Sequence, residues 1–330
     1  MSVVIVRDKN ATYPNFPFEP NKAYPEYLFN ETATEENKVY ELVRETFKLH
    51  GFDSSNFGTK NWNPLGEIIG LNNVVVIKPN FVEYKENNFY AVTTHGSVVR
   101  AIIDYILIAL KNTGKIIVAD STQNTTDYNL ILTQNRMYDL IEYYKKLGIN
   151  NIEIRDVRHS AEFSKDPEGY TQVNLGETSL FATWPKREIK RLYGADYDRK
   201  ETIKAHTNPN HYYELANTFA NADVIISIPK LKTHLKVGVT LNLKGMIGMM
   251  GNKNLIPHRK VSRKGDSYPI ELKRKVKLYL IIDQKLSDIF LVRKREKIYQ
   301  FLRKFFKIIT FTKQKDLSGT QGMSGYNVTA

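Results

Sequence analysis

Residues 72–80 read NNVVVIKPN and contain an unbroken apolar run of three valines and an isoleucine. A short, continuously apolar and β-branched run predicts a strand, here residues 74–77, that is buried on both faces. Strands of this kind are typical of parallel sheets that are covered by helices. This stretch therefore suggests the fold class, and the flanking sequence tests the suggestion.

Helical and strand-like segments alternate on the carboxyl side of this run. GSVVRAIIDYILIALKNTG predicts a helix that ends at Gly114, and KIIVADST contains a second buried strand. Residues 131–147 have a helical pattern that ends at Gly148, NIEIRD forms a third strand, and NADVIISIPK forms a fourth. The alternation predicts an α/β fold with a mostly parallel sheet and helices on both faces.

The remaining segments carry weaker patterns. The apolar run before Arg7 is interpreted as a strand, and Thr32 with Glu35 as a capping box for a helix that ends at Gly51. We expect an α/β domain over residues 1–260 with an irregular insertion or cap at 158–205, followed by a basic amphipathic helical region over 261–330. No closing element is evident near the final residues, which leaves open that the chain is a truncated version of a longer protein.

Positive charge is concentrated in one region. The whole chain has a net charge of +13, whereas residues 251–315 contain 19 Lys and Arg against 5 Asp and Glu. Such a region is typical of contact with anionic lipid, nucleic acid or an acidic partner, or of a solvated lysine-rich surface. Over residues 298–309, apolar residues alternate with cations at helical spacing. This pattern predicts an ordinary surface helix, a helix at a membrane interface or a helix that docks on a partner. Nucleic acid is the less favoured partner, because the aromatic residues are spaced for a helix face rather than for base stacking.

Cysteine is absent from the chain. Disulfides, thiolate metal sites, iron–sulfur clusters and a thiol nucleophile are therefore excluded. No secretory signal opens the sequence, and no run approaches the roughly 18 apolar residues that a spanning helix needs. These features predict a cytoplasmic protein with possible peripheral contact with a membrane.

Polar residues follow three of the predicted strands, and ligands in open parallel sheets bind at the carboxyl ends of strands. The segment TTHGS precedes a helix, whose free N–H groups favour anions, although Thr94 or Ser97 could equally cap that helix. A lysine- and histidine-rich set with few carboxylates predicts an anion site. The expected ligand contacts are Lys78, Asn80, Thr94, His95, Asp120, Ser121, Lys230 and Lys232.

Two further residues are candidates for catalysis. His234 has an imidazole whose ordinary pKa suits acid–base work, and Lys244 lies between apolar residues, where a lysine either snorkels or serves as a dehydrated amine. Each candidate also has a structural interpretation: Lys78 as a solvated edge residue, Asp120 as a helix cap, and His234 as a hydrogen-bonded core histidine. No Walker loop, GxGxxG fingerprint or HExxH motif is present.

The ordered set KPN, TTH, ADS, PKLKTH and LKG, over roughly residues 64–260, resembles the family called domain of unknown function 362. The resemblance implies a cytoplasmic α/β protein whose activity is generally unassigned. Some relatives carry iron–sulfur modules, which this cysteine-free chain does not share.

A more distant likeness is to lactate racemase-type proteins, which hold a nickel-pincer nucleotide. It implies that Lys244 tethers the cofactor, that His258 ligates nickel and that His234 acts as acid or base. Residues 241–243 read LNL where that family has a glycine pair.

The leading hypothesis is thus an enzyme-like protein that binds a small anion or a nucleotide-type cofactor at the strand ends, with racemase-like proton transfer as the suggested chemistry. The alternative is a non-catalytic protein whose basic region contacts an anionic membrane or nucleic acid.

Overall fold

The structure is a computed structural model that describes residues 3–82, 89–124, 126–159, 166–190, 192–193, 198–234, 238–259, 274–290 and 295–310. The described residues divide into two compact units. The first consists of residues within 1–156 and 218–230, and the second of residues within 157–217 and 231–329. The first unit is therefore built from two separate stretches of chain.

Helices and strands alternate along most of the chain. The helices are α1 (Lys38–His50), α2 (Phe89–Val92), α3 (Gly96–Leu110), α4 (Tyr128–Gln134), α5 (Met137–Lys146), α6 (Lys186–Ile189), α7 (Arg199–Ala205), α8 (Asn217–Ala220), α9 (Asn242–Gly245), α10 (Arg274–Phe290) and α11 (Glu296–Ile309). The strands are β1 (Val74–Pro79), β2 (Lys115–Asp120), β3 (Ile152–Asp156), β4 (Tyr170–Asn174), β5 (Leu192–Tyr193), β6 (Tyr212–Ala216), β7 (Val224–Ile228), β8 (Lys232–His234), β9 (Gly238–Thr240) and β10 (His258–Arg259).

Four parallel strands form the sheet of the first unit, in the order β3-β2-β1-β7. Val75, Val76 and Ile77 at the middle of β1 are completely buried. This burial explains why the strand is continuously apolar, because both of its faces are covered. The predicted α/β fold with a parallel sheet is confirmed.

The strand order places a topological switch point between β1 and β7. The chain proceeds from β1 to β2 and β3 on one side, and it later adds β7 to the other side of β1, with Pro79 opposite Ile228. The segments that leave the carboxyl ends of β1 and β7 therefore diverge. In open α/β sheets the crevice at such a point is the usual ligand site.

Three local predictions need correction. Helix α1 is capped by Asn37, not by Thr32: the Asn37 side chain accepts a hydrogen bond from the N–H of Tyr40 and donates to the carbonyls of Phe18 and Glu19. These tertiary bonds fix where the helix begins. Gly51 ends it in the left-handed conformation at φ 82°, as predicted.

The other two corrections concern the first residues and the segment 131–147. Residues 3–8 form no strand: Val3 and Ile5 are exposed, Val4 and Val6 are only partly buried, and none of the described strands pairs with this segment. Segment 131–147 contributes to two helices, α4 and α5, rather than one. Arg136 separates them with a positive φ of 58°, which a continuous right-handed helix does not allow.

The second unit contains three small antiparallel pairs, β4 with β6, β5 with β10 and β8 with β9. Residues 158–205, predicted as an irregular insertion, supply β4, β5 and short helices to this unit. The predicted boundary between residues 260 and 261 lies outside the described residues. In the described parts of the chain, no helix has both the length and the apolar character needed to cross a bilayer.

Candidate functional site

A pocket of about 330 Å³ lies in the first unit at the switch point between β1 and β7. Its wall combines the start of α3, one face of α1 and the residues that follow β7. The lining residues are Tyr13, Val43, Thr46, Phe47, Thr94, His95, Val98, Ile102, Ile228, Pro229 and Lys230. Three of the predicted ligand contacts, Thr94, His95 and Lys230, therefore meet in one pocket.

Thr94 lines the pocket and joins the segments that follow β1 and precede α3 to the end of β7. Its hydroxyl donates to the Ile228 carbonyl at 2.8 Å and accepts from the Asn80 N–H at 3.0 Å. The Thr94 N–H also donates to the Asn80 carbonyl at 3.2 Å. Both hydrogen-bonding functions of the hydroxyl are thus used in linking the ends of β1 and β7 to the start of α3. Thr94 positions the pocket and does not cap the helix.

His95 is the residue that caps α3. Its Nδ1 accepts a hydrogen bond from the Ser97 N–H at 3.1 Å and lies 2.8 Å from the Ser97 hydroxyl. An Nδ1 atom that accepts leaves Nε2 as the protonated nitrogen of the neutral ring. Burial, and secondarily the charge of Lys230, lower the pKa of His95 from 6.5 to about 4. His95 is therefore a neutral imidazole at physiological pH, and its Nε2–H is a hydrogen-bond donor.

Aromatic rings hold the His95 imidazole in place. Tyr13 stacks on it with ring centroids 4.0 Å apart and planes 5° apart, while Tyr90 and Phe18 pack at 4.4 and 5.4 Å. The Tyr13 hydroxyl accepts a hydrogen bond from Lys230 Nζ at 2.6 Å. Tyr13 thus fixes both the ring and the ammonium group at the edge of the pocket.

The charged and dipolar groups that line the pocket are positive. Lys230 is half-buried and, within the part of the chain that the structure describes, forms no ion pair. None of the lining residues carries a carboxylate. The amino terminus of α3 adds the positive end of a helix dipole. This combination favours an anion over a neutral or cationic ligand.

Two buried polar atoms near these residues have no hydrogen-bond partner among the described residues. They are Asn80 Nδ2 and Thr93 Oγ1, on side chains that are 3% and 0% exposed. A buried donor without a partner costs about 1–3 kcal/mol, so native proteins rarely keep one without a reason. Their position at the carboxyl edge of β1 is consistent with a polar ligand or an ordered water at that edge.

Lys78 and Asp120 pair with each other. Lys78 Nζ lies 2.7 Å from Asp120 Oδ1 and donates to the Pro79 carbonyl, while Asp120 Oδ2 accepts from the Phe81 N–H at 2.7 Å. The two side chains are only 1% and 3% exposed. This buried pair joins the ends of β1 and β2. Ser121, the residue after Asp120, is also buried.

The other predicted residues belong to the second unit. Lys232 and His234 begin and end β8, Lys244 lies in α9, and His258 begins β10, where its Nδ1 contacts the Ile256 carbonyl at 3.0 Å. Among the described residues, no group of three or more His, Asp or Glu side chains is arranged to hold a metal ion. The roles of these residues in catalysis and in nickel binding stay predictions.

A hydrogen-bonded histidine pair in the second unit was not predicted from the sequence. His206 and His211 are buried and face each other with their Nδ1 atoms 2.7 Å apart. His206 Nε2 contacts the Leu255 carbonyl at 2.9 Å, and the Tyr213 hydroxyl contacts His211 Nε2 at 3.0 Å. Since a carbonyl only accepts, one proton arrangement satisfies all three contacts, with both rings neutral. Their separation of five residues matches neither a helix nor a strand period, so it did not predict the contact. The two rings meet because the chain turns between α7 and β6.

This pair makes stability depend on pH. Burial lowers the pKa of His206 to about 4, against 6.5 when the ring is in water, and it also lowers the pKa of His211. The unfolded chain therefore binds protons that the folded chain does not. The contribution of the neutral rings to the free energy of unfolding is complete above pH about 6.5 and is lost as the pH falls toward about 4, by on the order of 2 kcal/mol for His206.

Chemical denaturation of wild type and His206→Gln across this range should show that the free energy of unfolding depends less steeply on pH in the variant. His50→Gln, at an exposed histidine, should leave the dependence unchanged, and equal slopes for wild type and His206→Gln would contradict this explanation.

The fold defines an α/β protein with a parallel sheet, and a pocket lined by one lysine and no carboxylate lies at the switch point of that sheet. The family described as Domain of unknown function (DUF362) matches residues 75–183 and 174–318. The matched residues cover most of the chain and include β1, α3, β2 and β7, so the chain belongs to this family. No curated protein and no solved structure matches the chain.

Proposed function

We propose that the first unit binds a small organic anion with an apolar body in the pocket at the switch point. The observation that carries this proposal is the position of Lys230, a half-buried cation without a carboxylate partner among the described residues, at the rim of a pocket that is otherwise mostly apolar. A cation in such surroundings is stabilised when an anion is bound beside it.

The lining divides into two parts that match the two parts of such a ligand. Val43, Phe47, Val98, Ile102 and Ile228 provide an apolar surface for the body. Lys230 provides a charge, and His95 and Tyr13 provide polar groups for the anionic head. A few polar groups in a mainly apolar concavity are the usual composition of a small-molecule site.

The size of the pocket favours a small anion over a nucleotide-type cofactor. Its volume of about 330 Å³ is at the lower end of the range of about 300–1,000 Å³ for ligand pockets. The neutral state of His95 also suits a carboxylate, because the Nε2–H donates a hydrogen bond without requiring a second charge. The hypotheses that His234 and Lys244 catalyse racemase-like proton transfer, and that the protein is cytoplasmic, stay predictions.

Replacing Lys230 with methionine should weaken anion binding by about 10- to 100-fold, because a charge-assisted hydrogen bond is lost while the length of the side chain is nearly kept. The probes are hexanoate and benzoate, with hexanamide and benzamide as uncharged analogues and inorganic phosphate as an anion without an apolar body. Binding is followed by NMR through the imidazole signals of His95. We expect the carboxylates to bind wild type better than the amides or phosphate, and Lys230→Met to remove that preference.

The control is Lys146→Met, which removes an exposed lysine of the same unit without an ion pair among the described residues. It should bind all probes as wild type does. In addition, Lys230→Met should raise the pKa of His95 from about 4 but leave it below the ordinary value of 6.5, because burial lowers this pKa more than the charge of Lys230 does. Equal binding of carboxylates and amides to wild type, or unchanged carboxylate binding by Lys230→Met, would refute the proposal.

A further inference from the structure

Helix α11 presents an apolar stripe to solvent. Phe301 and Ile308 are 70% and 73% exposed, and Ile298, Phe305 and Ile309 are also exposed. At 3.6 residues per turn, these five positions lie along one side of the helix. Contiguous exposed apolar surface of this kind marks an interaction site.

The opposite side of α11 holds it against α10. Tyr299 is buried and donates its hydroxyl hydrogen to Asp283 Oδ1 at 3.0 Å. Arg303 Nε lies 3.3 Å from the same oxygen and 3.2 Å from the Tyr279 hydroxyl. The apolar stripe is therefore not the side that packs against α10. Arg303 is one of the cations of the helical pattern over residues 298–309, and its contacts with Asp283 and Tyr279 anchor the helix to α10.

Two exposed lysines border the stripe. Lys297 and Lys304 lie two helical turns apart and, with Gln300 and Phe301, line a shallow cleft of about 440 Å³. They belong to the region with a surplus of 14 positive charges, from 19 basic and 5 acidic residues over 251–315. The apolar stripe thus has cations at its edge, where the phosphates of a lipid surface would lie.

We propose that α11 lies flat on an anionic phospholipid surface, with Phe301, Phe305 and Ile308 inserted at the boundary between head groups and acyl chains. Lys297 and Lys304 contact lipid phosphates. An apolar side bordered by lysines, on a helix too short and too polar to span, is the composition of an interfacial helix. A second copy of the chain is a less favourable partner for this stripe, because pairing of the two stripes would place Lys297 and Lys304 of one copy near the same lysines of the other. This proposal is independent of the pocket in the first unit.

The test is sedimentation of the full chain with phosphatidylcholine vesicles that contain or lack phosphatidylglycerol. We expect binding to the anionic vesicles that weakens as salt is added. Lys297→Gln with Lys304→Gln should reduce it roughly thirtyfold, because each lysine near the surface contributes a factor of about five. Phe301→Ser with Ile308→Ser should also reduce binding, and this loss should persist at high salt, where the electrostatic contribution is screened.

Matched controls use the exposed residues of the first unit. Lys60→Gln with Lys146→Gln makes the same change in net charge, and Ile68→Ser with Leu71→Ser the same kind of apolar change. Both should bind vesicles as wild type does. The proposal is overturned if anionic vesicles do not bind the chain, if the control and test variants lose binding equally, or if analytical ultracentrifugation shows a dimer that Phe301→Ser dissociates.

Discussion

Replacing Lys78 with methionine should lower the free energy of unfolding by about 3–5 kcal/mol, because it leaves the Asp120 carboxylate buried without its cation. Asp120 is 3% exposed, and its other oxygen is engaged by the Phe81 N–H. Methionine nearly fills the volume of the lysine side chain, so the loss reports the charge rather than a cavity. The measurement is chemical denaturation followed by Trp62 fluorescence in a Trp184→Phe background, since Trp62 lies in the first unit and is completely buried.

The chain provides a control that is matched in distance and differs in burial. Lys145 and Glu142 are also 2.7 Å apart, but their side chains are 50% and 63% exposed. Lys145→Met should therefore change stability by less than about 1 kcal/mol. The double variant Lys78→Met with Asp120→Asn should recover part of the loss, because Asn retains an acceptor for the Phe81 N–H. If Lys145→Met costs as much as Lys78→Met, burial is not the cause.

Replacing Arg100 with methionine should have an effect of similar size, about 3–5 kcal/mol. Arg100 is completely buried in α3, lies 3.2 Å from Asp104, and donates to the Pro17 carbonyl at 2.8 Å and the Tyr27 hydroxyl at 3.0 Å. Its guanidinium also lies 4.5 Å from the centre of the Tyr143 ring. One side chain therefore neutralises a buried carboxylate and ties the segment before α1 to the helix. Denaturation followed by Trp62 measures the loss.

The pH dependence of this variant provides a second test. Burial already raises the pKa of Asp104, and Arg100 opposes that shift. Without Arg100 the pKa of Asp104 rises further. At neutral pH, Asp104 is then more protonated in the folded variant than in the unfolded chain, where the carboxyl group is ionised. The deficit relative to wild type should therefore shrink as the pH falls toward 4. Arg100→Lys should restore only part of the stability, because it retains the charge but not the planar set of donors. Arg136→Met, at an exposed pair with Asp139, should show neither effect.

The sheet was predictable because burial on both faces forces an unbroken apolar sequence. The runs in β1 and β2 show this directly, because their central residues are completely buried. The edge strand β3 (Ile152–Asp156) is mostly half-buried and reads IEIRD, in which apolar and charged residues alternate. Parallel pairing follows from the helices between the strands. Local signals were less reliable where a tertiary contact competes with them. The capping box at Thr32 is a proper local pattern, yet the helix begins after Asn37 because that side chain is held by the carbonyls of Phe18 and Glu19.

The candidate site was predictable only in part, for a similar reason. The end of a predicted strand identifies Lys230, and the start of a predicted helix identifies Thr94 and His95. The pocket brings these three residues together. Tyr13 could not be found this way, because it lies in a segment without regular structure and reaches His95 through the fold alone. The sequence also could not show that Lys78 has a buried partner 42 positions away. The spacing of polar residues along a chain does not show which of them form ion pairs or hydrogen bonds with each other in the fold.

The first unit cannot complete its sheet until β7 has been synthesised, because β7 lies far behind the other three strands in the sequence. Five register pairs, from Val75 with Val224 to Pro79 with Ile228, join β1 to a strand that is synthesised after the whole segment 157–217. Until residue 228 has emerged from the ribosome, one side of β1, whose centre is completely buried in the folded protein, has no hydrogen-bonding neighbour. Shorter nascent chains expose an unpaired strand edge whose free N–H and C=O groups can pair with another chain, which favours aggregation and binding by chaperones. Fragments for expression should therefore extend past β7 rather than stop at Asp156, where the contiguous part of the unit ends.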